Sequence, residues 1–288
     1  MPTARRTGVA VGFVLWLLAP GCTADREHSG SPPAVDAGVS VVDSDGRTIR
    51  LDAPARRVVS LVPSATLTLQ ALGAADVLVG RTDFDTASWA AGVPSVGGGI
   101  QPSLESIVAL DPDLVVRFGG SQDPTTPARL DDVGIAHVAI RPDRVEDVLA
   151  TIRVLGTLVG SDPRADSLVR TLRSELAEVR RRAEGREPVA VAYVLGGSPP
   201  WVAGPGTYID ELIGIAGGAN AFSDLESLYA AVSPEQFRGR DIDVILTPDP
   251  GTLPSRLTRG LTVAEVSDVL ELPGPGMGRA AAEVAAIL

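Results

Sequence analysis

Two glutamates sit in the same short string in the two halves of the 288-residue chain. Ser103-x-Glu105 runs on to Asp111-x-Asp113-Leu114-Val115, and Ser233-x-Glu235 runs on, at identical spacing, to Asp241-x-Asp243-Val244-Ile245. In both strings the serine can cap a helix, and the glutamate falls in its first turn. A charge there complements the helix dipole by a few tenths to about 1 kcal/mol, which is one reading of the pair. The other is recognition, because one carboxylate on each half suits a partner that presents two like basic pockets. Spacing alone leaves both open.

A second group is aromatic. Phe84, Trp89, Phe118, Trp201, Tyr208 and Tyr229 all fall at or just beyond predicted strand ends. Ligands of open α/β sheets bind at such ends. Flat rings grip large planar ligands at little entropy cost. These six are the candidate ligand contacts.

Other chemistries lack their residues. The two histidines are His28, in a polar stretch, and His137, in a predicted strand where a hydrogen-bonded structural role is expected. The sequence contains no nucleophile elbow, P-loop or metal-ligand cluster, so an enzyme is not expected and no cofactor is assigned. All 25 basic residues are Arg, and the formal charge is −11, which repels nucleic acid.

The lone cysteine is informative through its position. Arg5 and Arg6 precede an apolar stretch over residues 9–18, and Leu18-Ala19-Pro20-Gly21-Cys22 follows. That stretch has the length of a signal-peptide core and is too short for a spanning helix. The small residue before Cys22 resembles the bacterial lipobox, which implies lipidation of that thiol. Residues 1–21 are thus read as an export signal and 22–38 as a lipidated flexible tether with too little apolar content to order.

The elements that must position the candidates follow from periodicity. Residues 39–51 alternate around Asp45-Gly46 and predict a β-hairpin. Strands at 58–61, 77–79, 114–116 and 136–140 alternate with helices at 64–72 and 103–110 and with one ending before Gly134, a rhythm that implies a parallel sheet. A helix over 143–159 is followed by a long one over 162–184, whose apolar residues recur at helical spacing. A strand at 189–195, helices at 207–216 and from Ser233, a strand at 244–246 and a closing helix over 276–288 repeat the pattern. Residues 251–272 carry no clear period. The expected fold is two parallel-sheet α/β lobes, 39–161 and 185–288, joined by one long backbone helix at 162–184.

Four strings carry a resemblance. They are Arg57-Val58-Val59-Ser60-Leu61-Val62-Pro63-Ser64-Ala65-Thr66 with Ala71-Leu72-Gly73; Gly80-Arg81-Thr82-Asp83; Leu104-Glu105-Ser106-Ile107 with Pro112-Asp113-Leu114-Val115; and Gly204-Pro205-Gly206-Thr207-Tyr208-Ile209-Asp210-Glu211-Leu212. In this order around a linking helix, the chain resembles the periplasmic binding proteins of the helical-backbone class, which serve cobalamin, haem and ferric siderophores, and looks most like cobalamin-binding members. Two ring positions of such members read Asp85-Thr86-Ala87-Ser88 and Gly97-Gly98-Gly99 here, while Trp201 and Tyr229 match aromatic positions. The resemblance implies a monomer anchored outside the cytoplasm, a corrinoid or other metal-chelate ligand between the lobes, and docking of Glu105 and Glu235 on an ABC permease dimer with its ATPase. A ferric-siderophore or haem ligand, or a ligand-binding sensor, are the alternatives.

Overall fold

The computed structural model describes Gly8, residues 38–121 and residues 123–288. The expected signal apart from Gly8, Cys22 and the tether up to residue 37 lie outside the described residues. The first element is the hairpin of β1 (Val39–Val42) and β2 (Thr48–Leu51), paired antiparallel from Val39 opposite Leu51 to Val42 opposite Thr48. Gly46 takes a φ of +78° in its turn, a conformation open to glycine at little cost. The turn docks on the first sheet, where Ser44 N–H donates to the Ala139 carbonyl at 3.1 Å and Ala139 N–H to the Asp43 carboxylate at 3.1 Å.

The first sheet consists of β3 (Val58–Ser60), β4 (Leu78–Gly80), β5 (Leu114–Phe118) and β6 (His137–Ile140), all parallel in the order β4-β3-β5-β6. Its helices are α1 (Pro63–Ala71), α2 (Leu104–Ala109), α3 (Thr125–Asp132) and α4 (Val145–Leu158). Proline opens α1 at the position where its missing N–H costs nothing.

The long helix α5 (Asp162–Ala183) follows. Its 22 residues reach about 33 Å at 1.5 Å each. Ala165, Val169, Leu172, Leu176 and Val179 form its buried stripe. Close contacts mark both ends of this stripe. A Cβ on Gly156 of α4 would lie 2.4 Å from Ala165 Cβ. Toward the other end, a Cβ on Gly278 would lie 2.9 Å from Glu175 Cβ.

Beyond α5 come β7 (Val189–Gly196), β8 (Trp201–Ala203), α6 (Tyr208–Ile215), β9 (Gly218–Asn220), β10 (Tyr229–Ala231), α7 (Pro234–Arg238), β11 (Val244–Thr247), α8 (Ser255–Thr258), β12 (Thr262–Glu265) and α9 (Met277–Ile287). The second sheet has the order β10-β8-β7-β11-β12, with β9 also paired to β7. The expected parallel sheet is present and is extended on one side by antiparallel strands. Strands β7, β9, β11 and β12 are parallel, but β8 runs antiparallel to β7 and β10 antiparallel to β8. The connection after β7, residues 197–200, is too short for a crossover, so the chain can only return beside itself.

Strand alternation divides the apolar residues into three clusters. Val58, Leu114, Val116, Val191, Tyr193, Val244 and Leu246 point into a central core shared with α1, α4, α5, α6 and α9. Their neighbours Val59 and Val115 join an outer core beneath α2 and α3, and Ala192, Val194 and Ile245 join another beneath α7. Period-two alternation with both faces covered is what parallel strands require. Within the described residues, no helix is long and apolar enough to cross a membrane.

Candidate functional site

In a parallel sheet every strand ends at the same edge, so the loops after β3, β4 and β5 converge. Phe84, Ile100 and Phe118 sit on these loops or at the last strand position and are 69%, 46% and 38% exposed. The loop after β4 is held by its own polar groups: the Asp85 carboxylate accepts from Thr82 N–H at 2.8 Å and from Thr82 Oγ1 at 2.6 Å. Ser95 Oγ donates to Asp83 at 2.6 Å. Gly98 and Gly99 bring the chain back between the two rings. A Cβ on Gly99 would lie 2.4 Å from the Leu61 carbonyl oxygen and 3.5 Å from Phe118 Cε2, and one on Gly98 4.0 Å from Phe84 Cε2. Only glycine allows this approach to Leu61. Trp89 packs instead against the central core, with its indole N–H buried and without an acceptor among the described residues.

The second sheet supplies another set. Leu195 near the end of β7 is 38% exposed and Trp201 at the start of β8 is 49% exposed. The Trp201 ring lies against the turn between them, since a Cβ on Gly197 would be 3.2 Å from its Cδ1. Tyr229 pairs with Ala203 across the β8/β10 ladder and is half-buried. Burial first, then the nearby Asp143 and Glu271 carboxylates, push its phenol up to about 12.

Tyr208, expected to face the ligand, is buried at 3% exposure, and its hydroxyl donates to the Leu270 carbonyl. Its place in the first turn of α6 turns the ring into the central core, so it props the fold and offers no open face. Tyr193 does the same from β7, donating to Glu271 Oε1 at 3.0 Å. Burial, and secondarily Asp268, raise the Glu271 carboxyl above its usual range. Near these residues Val145 N–H, at the start of α4, donates to Glu211 Oε2 of α6 at 2.8 Å.

The two repeated strings occupy matching places. Ser103 Oγ accepts from Ser106 N–H at 3.2 Å, and Ser233 Oγ from Gln236 N–H at 3.2 Å, so each serine caps its helix. Ile107 of α2 and Phe237 of α7 are buried in the two outer cores. Glu105 and Glu235 are both exposed. The second aspartate of each string ties the start of the neighbouring strand. Asp113 accepts from Arg56 N–H at 2.8 Å and Arg57 N–H at 3.1 Å, and Asp243 accepts from Ala190 N–H at 2.9 Å.

His137 is buried and bonded on both nitrogens, to Arg117 Nε at 2.9 Å and to Asp131 at 3.1 Å, with Arg47 2.8 Å from Nε2. Burial, then Arg47 and Arg117, lower its pKa. No cluster of three or more His, Cys, Asp or Glu side chains among the described residues could hold a metal ion.

Ile100 and Leu195 escaped a search limited to rings. Leu195 was legible as the last residue of a predicted strand, and Ile100 as the apolar residue closing a glycine run.

Comparison with known proteins places this architecture. A cobalamin-binding protein of Halobacterium salinarum is 32% identical over 253 residues, 84% of this chain and 68% of that one. The crystal structure of the periplasmic vitamin B12 binding protein BtuF of Vibrio cholerae superposes with a TM-score of 0.71 at 24% identity, covering 81% of this chain and 96% of that one. The periplasmic haem-binding protein RhuT from Roseiflexus sp. RS-1, in apo form, gives a TM-score of 0.70 at 26% identity, with 81% and 97% covered. The periplasmic binding protein profile matches residues 58–264. With most of its length matched, its strand-end loops carrying exposed rings and its lobes packed on one long helix, the chain belongs to the periplasmic binding protein family.

Proposed function

We propose that the chain is the extracytoplasmic solute-binding component of an ABC importer and captures a corrinoid between lobes 39–161 and 185–288, with 162–184 as the linking helix. The observation that carries this is the placement of exposed apolar side chains. Phe84, Ile100, Phe118, Leu195 and Trp201 collect at or near the strand ends of the two sheets, while most other large apolar residues among those described are buried. Exposed apolar side chains gathered at strand ends mark a ligand-binding groove. Rings on both lobes suit the two faces of a large flat macrocycle, and Tyr229 adds a hydroxyl that stays protonated at neutral pH. The 32% identity to a protein named for cobalamin binding supports the same ligand class.

Haem would ask more of the protein, because its iron takes an axial side-chain ligand such as His or Tyr. His137, Tyr193 and Tyr208 are buried in hydrogen bonds, which leaves half-buried Tyr229 as the one candidate among the described His and Tyr residues. A corrinoid carries its own axial ligands. We assign Trp201, Tyr229, Phe84 and Phe118 to ligand contact, Trp89 to support of the Phe84 loop, Glu105 and Glu235 to permease docking, and Cys22 to lipid anchoring.

The test is a calorimetric titration of the chain lacking residues 1–21 with cyanocobalamin, haemin and ferrichrome. Cyanocobalamin should bind at least about tenfold more tightly than either, a difference of about 1.4 kcal/mol. Tighter binding of haemin or ferrichrome would overturn the corrinoid assignment. For anchoring, mass spectrometry of membrane fractions should find a diacylated Cys22 as the first residue, and an intact Met1 would refute it.

A further inference from the structure

The two exposed glutamates differ in what surrounds them. On α7, Arg238 stands one turn after Glu235, and its Nη2 lies 3.2 Å from Glu235 Oε1. Arg238 Nε also donates to the Pro234 carbonyl at 3.2 Å, which holds the guanidinium back over the first turn. On α2 the residue one turn after Glu105 is Val108, which is 46% exposed. No basic group lies within ion-pair distance of Glu105 among the described residues. Each helix therefore presents the same acid at the same place beside a different neighbour.

Resting on the permease-docking reading above, we propose that the two lobes dock unequally. The α2 surface is the stronger contact, fitting a basic side chain next to an apolar one, and Arg238 restrains the α7 surface by competing with the incoming basic group of the permease for Glu235. A basic group reaching Glu105 meets an unoccupied carboxylate and can cover Val108 at the same time. One reaching Glu235 meets a carboxylate already shared with a guanidinium, and like charges in close approach weaken the contact. A surface pair of this kind shifts an equilibrium by up to about fivefold. Covering one valine is worth roughly tenfold.

The test uses the cognate permease–ATPase complex in nanodiscs and measures its association with the mature chain by surface binding kinetics. Glu105→Gln should weaken association by about fivefold, Val108→Ser by several-fold, and Glu235→Gln by about twofold or less. Arg238→Gln should tighten it by about two- to fivefold, and that gain should vanish when Glu235→Gln is present as well. A loss or no change with Arg238→Gln, or equal losses for the two glutamates, would overturn the unequal docking. If neither glutamate variant alters association, the docking reading itself fails. Thermal melts of each variant separate these outcomes from loss of fold.

Discussion

Residues 103–118 and 233–247 follow the same course in the two sheets, yet they present different surfaces. Each begins with a capping serine, lays a short helix over an outer core, passes an aspartate that ties down the neighbouring strand, and enters a central parallel strand. The buried and hydrogen-bonded positions are equivalent: Ile107 with Phe237, Asp113 with Asp243, Val115 with Ile245. The outward positions are not, because Val108 answers to Arg238. The interior of a repeated unit is constrained by packing density, whereas its surface is free to match whatever it meets.

The largest effects should come from breaking the matched interiors. Ile107→Ala should cost about 2–5 kcal/mol and Phe237→Ala about 3–5 kcal/mol in urea unfolding, as both side chains are fully buried. Phe237 should be the costlier, since its ring also packs on Phe222 at 5.5 Å between centroids. A loss below about 1 kcal/mol at either site would end the equivalence of the two helices.

The two tying aspartates sharpen the comparison. Asp113 accepts from two successive N–H groups and Asp243 from one. Asp113→Ala should therefore destabilise by about 1–2 kcal/mol and Asp243→Ala by about 1 kcal/mol, with exposure keeping both modest. Denaturant midpoints in the opposite order would show that the strands are tied by something else.

The smallest effect concerns a feature of the first lobe alone. His137 is held with a lowered pKa by burial and by Arg47 and Arg117, against the attraction of Asp131. Below pH 6.5 the unfolded chain takes up a proton that the folded chain resists, so stability is full above 6.5 and is lost as pH falls toward the folded value. Glu271, raised by burial, changes stability in the opposite direction above the ordinary carboxylate range, so the His137 contribution is read as a difference between proteins. The slope of unfolding free energy from pH 7 to pH 5 should be shallower in His137→Gln than in the unaltered chain. Equal slopes would contradict it.

The parallel strands, the capped helices and the long α5 were legible because period-two and period-3.6 patterns come from burial, which acts on every residue of an element. Strands β8, β9 and β10 were not, since three residues are too few to show a period, and β8 and β10 pair antiparallel to their neighbours. That pairing is what makes the second sheet mixed. Residues 251–272 had no period because α8, β12 and two short 3-10 turns, at Pro250–Thr252 and Asp268–Glu271, divide them into pieces shorter than a repeat. Among candidate contacts, Phe84, Phe118 and Trp201 are exposed near strand ends as position suggested. Tyr208 lies equally close to such an end, but helix α6 rotates it inward, and a helical phase is not visible from a strand-end argument.

The most direct measurement is a cyanocobalamin titration of the unaltered chain, Phe84→Ala, Trp201→Ala and the double variant, which removes one ring from each lobe. If the ligand lies between the lobes, Trp201→Ala should cost about 1–3 kcal/mol, Phe84→Ala less because its ring is 69% exposed, and the double variant at least as much as the larger single loss. Unchanged affinity in the double variant would place the ligand elsewhere, and no cyanocobalamin binding by the unaltered chain would contradict the corrinoid assignment.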